Sequence, residues 1–188
     1  MIRGDSKEYE LLEKWAKTVP LTPGQKVVTV EIGVREGLGS KIIMDAINSR
    51  GYTDYRHIGI DPYGNLKYQH YDNGPAYTAD YTAGMRLTIQ KDLSDYECFD
   101  LFHMTDTEFM RRYQDLTDFN LVHFDGPHMT KDVAQEIMYF APRAGREAHF
   151  IFDDHATYDM NYLEVMLNWY GFVKHESGTN KVCYRRTY

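Results

Sequence analysis

Cysteine is scarce in this chain, with two residues among 188. Cys98 and Cys183 lie in apolar or strand-like stretches, the setting of buried thiols rather than of a disulfide or a metal pair, and they point to a reducing compartment. No apolar run is long enough to read as a membrane span, and Met1 to Gly4 leads into a charged helix rather than a signal peptide. These absences predict a soluble, cytoplasmic protein. Basic residues are outnumbered as well, 21 Lys and Arg against 28 Asp and Glu, for a net charge of −7. That balance excludes a general attraction to nucleic acid or an anionic membrane. A small neutral or cationic substrate suits it better. Repeats, linkers and low-complexity tracts are missing too, so residues 1–188 read as a single domain with a full core.

What the chain does have is a pair of short apolar runs that end abruptly in carboxylates and a histidine. NLVHFDGPH opens at Asn120 and HFIFDDH closes at His155. Each is the pattern of a buried strand delivering polar groups at its C-terminal edge. Met129 to Ala141 reads as a helix between them, so the unit is strand, crossover helix, strand, with two parallel neighbours roughly 4.8 Å apart. Asp125, Asp153 and Asp154 would then meet where open α/β sheets bind ligands. Carboxylates so close repel, and a raised pKa or a bound cation relieves them. An oxygen-only set favours a hard ion such as Mg2+, Ca2+ or Mn2+. His128, three residues after Asp125, could serve as general base for a hydroxyl lying on that metal. The plain alternative is that the aspartates cap helices and turns.

Taken in order, Asp5 or Ser6 is expected to cap a first helix that places Tyr9, Leu11, Leu12, Trp15 and Ala16 on one side and stops before Pro20. Pro23-Gly24 makes a turn, and Lys26 to Ile32 is the first strand. Glu31 to Ser40 (EIGVREGLGS) then carries Gly33, Gly37 and Gly39 into a helix over Lys41 to Ser49. A glycine turn at a helix N-terminus lets a ligand approach free N–H groups. Its G-x-x-x-G-x-G spacing is not the dinucleotide fingerprint. Arg56 to Ile60 is the second strand, and Asp61 at its end is placed to take the two hydroxyls of a ribose. Tyr63 to Ala79 lacks periodicity and is expected to be a substrate lid or an oligomer contact, with Tyr63, Tyr68, Tyr71 and Tyr77 as candidate pocket residues. A helix follows over Asp80 to Leu93 and a third strand over Phe99 to Met104. Thr105 opens the next helix with a capping-box pattern, bringing Asp106 and Thr107 to the same edge. Beyond His155 come a helix over Tyr158 to Tyr170 and two strands, Phe172 to Glu176 and Lys181 to Arg186, joined as an antiparallel hairpin.

Five strand and helix alternations followed by a hairpin resemble the class I S-adenosylmethionine-dependent methyltransferase fold over nearly the whole chain. The resemblance implies a Rossmann-like α/β protein, a seven-stranded, mostly parallel sheet with an antiparallel C-terminal hairpin and helices on both faces. The motifs resemble in particular the metal-dependent O-methyltransferases of the macrocin type, which act on sugars and other small molecules. By that resemblance Glu31, Gly33, Gly37, Gly39 and Ser40 belong to the first cofactor motif, Asp61 is the ribose acid, and Asp106 and Thr107 lie at the adenine. Asp125, which also lines the cofactor site, joins Asp153 and Asp154 as ligands of Mg2+ or another hard divalent cation, with His128 as base. Two departures stand out: Ala144 to Glu147 (AGRE) replaces a Gly-Gly turn, and Pro127 stands where some relatives carry an aspartate.

The activity so implied is methyl transfer from S-adenosylmethionine to a hydroxyl of a small-molecule acceptor, such as a sugar or a vicinal diol, bound on the metal. His155 is a further candidate, as a partner behind the carboxylate pair. Two other classes stay open: a noncatalytic methyltransferase-like subunit, and a metal-dependent hydrolase using Asp125, Asp153 and Asp154. The glycine turn and Asp61 argue against the hydrolase.

Overall fold

The computed structural model describes residues 2–21 and 26–188; the turn expected at Pro23-Gly24 lies outside the described residues. Strands β1 (Val27–Ile32), β2 (Tyr55–Ile60), β5 (Phe99–Phe102), β6 (Phe119–Phe124), β7 (Ala144–Phe152), β8 (Phe172–Ser177) and β9 (Val182–Arg186) form one seven-stranded sheet in the order β5-β2-β1-β6-β7-β9-β8. The first five run parallel, and β9 pairs antiparallel with both β7 and β8. This is the sheet the alternating pattern predicts. The order reverses at β1, with β2 and β5 on one side and β6 and β7 on the other, which is where such sheets open a ligand crevice.

Period-two alternation assigns each strand residue a face. Val30, Ile32, Val122, Phe124, Phe150 and Phe152 pack with Phe109, Ile137 and Leu163 of helices α4 (Asp106–Arg112), α5 (Thr130–Phe140) and α6 (Met160–Trp169). Phe124 and Phe152 stack across β6 and β7 at 4.5 Å. Burying each such ring stabilises the fold by about 1.5–3 kcal/mol. Leu121, Ile151 and Cys183 point the other way, against Leu12 and Trp15 of α1 (Tyr9–Ala16) and Ile43 of α2 (Leu38–Asn48). That second face also carries buried polar residues, Thr29, Glu31, His57, His123 and His149. Cys98 and Cys183 are free thiols. Among the described residues no helix is long and apolar enough to cross a membrane.

Two expectations differ from what is observed. The first helix is not capped by Asp5 or Ser6: it starts after Glu8, whose backbone is left-handed at φ 55°. The Glu8 carboxylate instead accepts the backbone N–H groups of Thr179, Asn180 and Lys181. The segment over 63–79 is not an irregular connection. It contains strands β3 (Gly64–Gln69) and β4 (Ala76–Tyr81), an antiparallel ribbon apart from the main sheet, followed by α3 (Ala83–Asp92). None of the ribbon's described side chains is fully buried, so its sequence shows no strand alternation.

Candidate active site

Parallel pairing continues one residue past each strand and brings the strand ends into line. The N–H of Gly33 donates to Ile60 O (2.9 Å), that of Asp61 to Phe102 O (3.1 Å), that of Asp125 to Ile32 O and that of Asp153 to Phe124 O (3.0 Å each). A cavity of about 1030 Å³ opens over this edge. It is lined by Glu31, Gly33, Gly39, Asp61, Asp106, Thr107, Asp125, His128, Asp153 and Asp154, whereas Gly37 and Ser40 do not reach it.

The glycine turn is built tightly. Gly33 and Gly37 sit at φ 85° and 86°, and a Cβ on Gly39 would stand 1.9 Å from Glu31 Oε1. The Glu31 carboxylate is spent inside the protein: Oε2 accepts from Ser40 Oγ at 2.5 Å and Oε1 meets His123 Nδ1 at 3.0 Å. Glu31 and Ser40 therefore brace the turn from below. Asp61 is buried; Oδ2 accepts from Arg35 N at 2.8 Å and Oδ1 from Tyr63 N at 2.9 Å. Burial raises its pKa against the pull of these two hydrogen bonds. Tyr63 is buried beside it, its hydroxyl on Arg35 O, rather than lining the cavity. Thr105 caps α4, accepting from Glu108 N at 3.1 Å, which leaves Asp106 and Thr107 in the first turn facing the cavity.

The three aspartates meet at the edge but do not act as a set. Both Asp153 oxygens are occupied by the chain: Oδ1 accepts from Lys181 Nζ (2.5 Å) and Asn180 Nδ2 (2.9 Å), and Oδ2 from Ser6 Oγ (2.7 Å). Burial would raise the Asp153 carboxyl, but a hydrogen bond from Asp125 and the charge of Lys181 outweigh it and hold the group ionised. Burial and then the Asp153 charge push the Asp125 carboxyl well above the ordinary range. Asp154, at φ 47°, turns to His128 instead. The described groups whose ligand atoms converge within 4.8 Å are His70 with His128 and Asp154, and Glu31 with His123 and Asp125. As arranged, Asp153 offers Mg2+ no open carboxylate oxygen.

His128 is buried at the cavity wall. Its Nδ1 forms an ion-pair contact with Asp154 Oδ2 at 3.3 Å and its Nε2 lies 3.9 Å from Asp125 Oδ1, neither nitrogen in hydrogen-bond geometry. His70 stacks on it at 4.3 Å and Tyr158 meets its edge at 5.5 Å. The β3–β4 ribbon places His70, and it is docked by Asp72, whose carboxylate accepts from Thr130 N (3.0 Å) and Thr130 Oγ1 (2.6 Å) at the start of α5. Tyr68 and Tyr71 line the cavity from the same ribbon; the side chain of Tyr77 lies outside the described ones. His155 faces away, its Nε2 3.3 Å from Gly178 O in the β8–β9 turn.

Ser6, His70, Asp72, His123 and Lys181 escape a reading of the sequence. His123 alone carries a local signal, a polar residue inside an apolar strand run. The rest come to the site from far along the chain.

A parallel sheet that reverses at β1, with a glycine turn and an acid on successive strand ends, is the architecture of the class I S-adenosylmethionine-dependent methyltransferases. A methyltransferase-domain family model matches residues 30–155, and the chain belongs to that family. Comparison by sequence with curated proteins finds no match. Among solved structures, the O-methyltransferase NovP is similar with a TM-score of 0.67 at 13% identity, covering 97% of this chain and 80% of that one. The calicheamicin methyltransferase CalS11 follows at 0.65 and 16%, covering 94% and 76%. The O-methyltransferase TomG from Streptomyces achromogenes, solved in complex with SAM, is similar at 0.62 and 10%, covering 100% and 82%.

Proposed function

We propose that this methyltransferase acts on a hydroxyl of a small-molecule acceptor, a sugar or a comparable alcohol, with His128 as the general base. The observation that carries the reading is the pairing of His128 with Asp154, at 3.3 Å, on the cavity wall. A carboxylate on Nδ1 keeps the proton there and leaves Nε2 as the acceptor. Bound S-adenosylmethionine supplies a methyl group on a positively charged sulfur. The glycine turn from Gly33 to Gly39 receives its amino-acid end and Asp61 its ribose hydroxyls, with Asp106 and Thr107 beyond them toward the adenine. The acceptor lies between His70, Tyr68 and Tyr71 on the ribbon and His128 on the sheet edge. As the acceptor oxygen bonds to the methyl carbon and the carbon–sulfur bond breaks, the hydroxyl proton passes to His128. The net charge of −7 favours a neutral or cationic acceptor.

Calorimetric titration with S-adenosylmethionine, followed by mass-spectrometric detection of S-adenosylhomocysteine formed on a panel of sugars and phenols, tests the reading. Stoichiometric binding with turnover on an alcohol is expected. Binding with methyl transfer to nitrogen or carbon acceptors alone would overturn the oxygen assignment.

A further inference from the structure

The acidic corner of the cavity already holds a cation that belongs to the chain. Lys181 is fully buried, and its ammonium has three acceptors: Asp153 Oδ1 at 2.5 Å, Ser6 Oγ at 2.7 Å and His123 Nε2 at 3.3 Å. An ammonium carries three donors, so its capacity is filled. The acceptors are committed in turn. Ser6 Oγ donates to Asp153 Oδ2 at 2.7 Å, closing a ring of Lys181, Ser6 and Asp153. With Nε2 accepting, His123 carries its proton on Nδ1 and donates it to Glu31 Oε1 at 3.0 Å. A buried charge persists where it is paired and its hydrogen bonds are satisfied, and this one is met by His123 of β6, Asp153 just past β7 and Ser6 before α1.

We infer that Lys181 is the resident cation of this site, taking the place that the resemblance reserves for a divalent ion, and that methyl transfer here runs without one. A divalent ion bound at Asp153 would have to expel Nζ or stand beside it, positive charge against positive charge. Lys181 neutralises Asp153 from inside, with Ser6 and Asn180 taking the remaining hydrogen-bonding capacity of that carboxylate. The acceptor then has no ion to chelate, so a single hydroxyl suffices and a vicinal diol gains nothing. The inference rests on the methyl-transfer reading only for that catalytic consequence.

The test is titration of the purified protein with Mn2+, followed by electron paramagnetic resonance, alongside calorimetry with S-adenosylmethionine in EDTA and in Mg2+. Wild type should show no Mn2+ binding that Asp153→Asn abolishes, and its cofactor affinity and turnover should be equal in EDTA and Mg2+. A folded Lys181→Ala protein should gain one Mn2+ site that is lost again when Asp153→Asn is added. A wild-type site abolished by Asp153→Asn, turnover lost in EDTA, or a folded Lys181→Ala protein without a new site would each overturn the inference. Should Lys181→Ala fail to fold, the Lys181 ammonium resonance in wild type decides: persistence through millimolar Mg2+ supports the resident lysine, and displacement defeats it. Absence of S-adenosylmethionine binding would defeat the methyltransferase reading separately, leaving the Mn2+ result to stand for the corner itself.

Discussion

A Cβ built on Gly33 would stand 2.0 Å from the carbonyl oxygen of Asp125. The turn after β1 and the turn after β6 are thus pressed backbone to backbone, and the glycine-turn side of the cavity shares a wall with the His128 side. Gly33 also holds φ 85°, in the region that side chains disfavour. Gly33→Ala is expected to cost more than about 2 kcal/mol through strain and clash together. Urea denaturation with calorimetry checks it: the substitution should lower the unfolding midpoint and weaken S-adenosylmethionine binding. An alanine variant of full stability would show that the two turns are free to part.

The His128–Asp154 pair predicts a division between chemistry and binding. His128→Ala should lower kcat by about 10²–10⁴, the usual contribution of a general base, with S-adenosylmethionine affinity unchanged. Asp154→Asn should lower kcat less, because the imidazole remains but its tautomer is no longer held. Asp61→Ala should do the reverse and weaken the cofactor. Steady-state kinetics beside calorimetry separates these outcomes, and equal loss of cofactor binding in all three would refute the division.

Asp72 predicts an effect on the acceptor alone. Its carboxylate holds Thr130 at the N-terminus of α5 and thereby docks the ribbon carrying His70 and Tyr71. Asp72→Ala removes a helix-capping interaction worth about 1 kcal/mol. The ribbon should loosen, raising KM for the acceptor several-fold while S-adenosylmethionine affinity holds. A matched loss of cofactor affinity would mean that the ribbon also closes over the cofactor.

Why the sequence shows some of this and not the rest follows from how each part is held. β6 and β7 run apolar into carboxylates and β1 carries Glu31 one residue before its end, so their apolar runs mark both the strand and the end that lines the cavity. The turn glycines and Asp61 are legible because one short segment carries each feature. β3 and β4 pair with each other and not with the main sheet, and none of their described side chains is fully buried, so they leave no alternation to read. Lys181 is the deepest omission. It sits just before the last strand in a hairpin turn, where a lysine ordinarily reaches solvent, and only the fold shows that Ser6, His123 and Asp153 converge on it from three other places in the chain. Three aspartates at neighbouring strand ends suggested an external cation, while the one observed nearest them lies 28 residues after Asp153 in sequence.

Buried histidines on the α1–α2 face set the acid limit of the fold. His57 bonds to Thr29 Oγ1 at 2.8 Å, with Glu31 and His123 as its charged or titratable neighbours. His149 donates from Nδ1 to Trp15 O at 3.2 Å, near Arg185, His175 and Glu147. Burial pulls each down to about 4 from an ordinary 6.5. Between those values the unfolded chain binds a proton at each ring that the folded chain refuses, so stability is fully present above pH 6.5 and is lost as pH falls toward 4. Each contributes a loss of up to about 3 kcal/mol over that window. Urea denaturation at pH 7, 6, 5 and 4 should show a steady fall, and His149→Leu, which cannot take up a proton, should lower the slope by about one proton's worth. An unchanged slope in His149→Leu would mean that His149 is protonated within the folded protein, and the bond to Trp15 O would then have to hold an imidazolium.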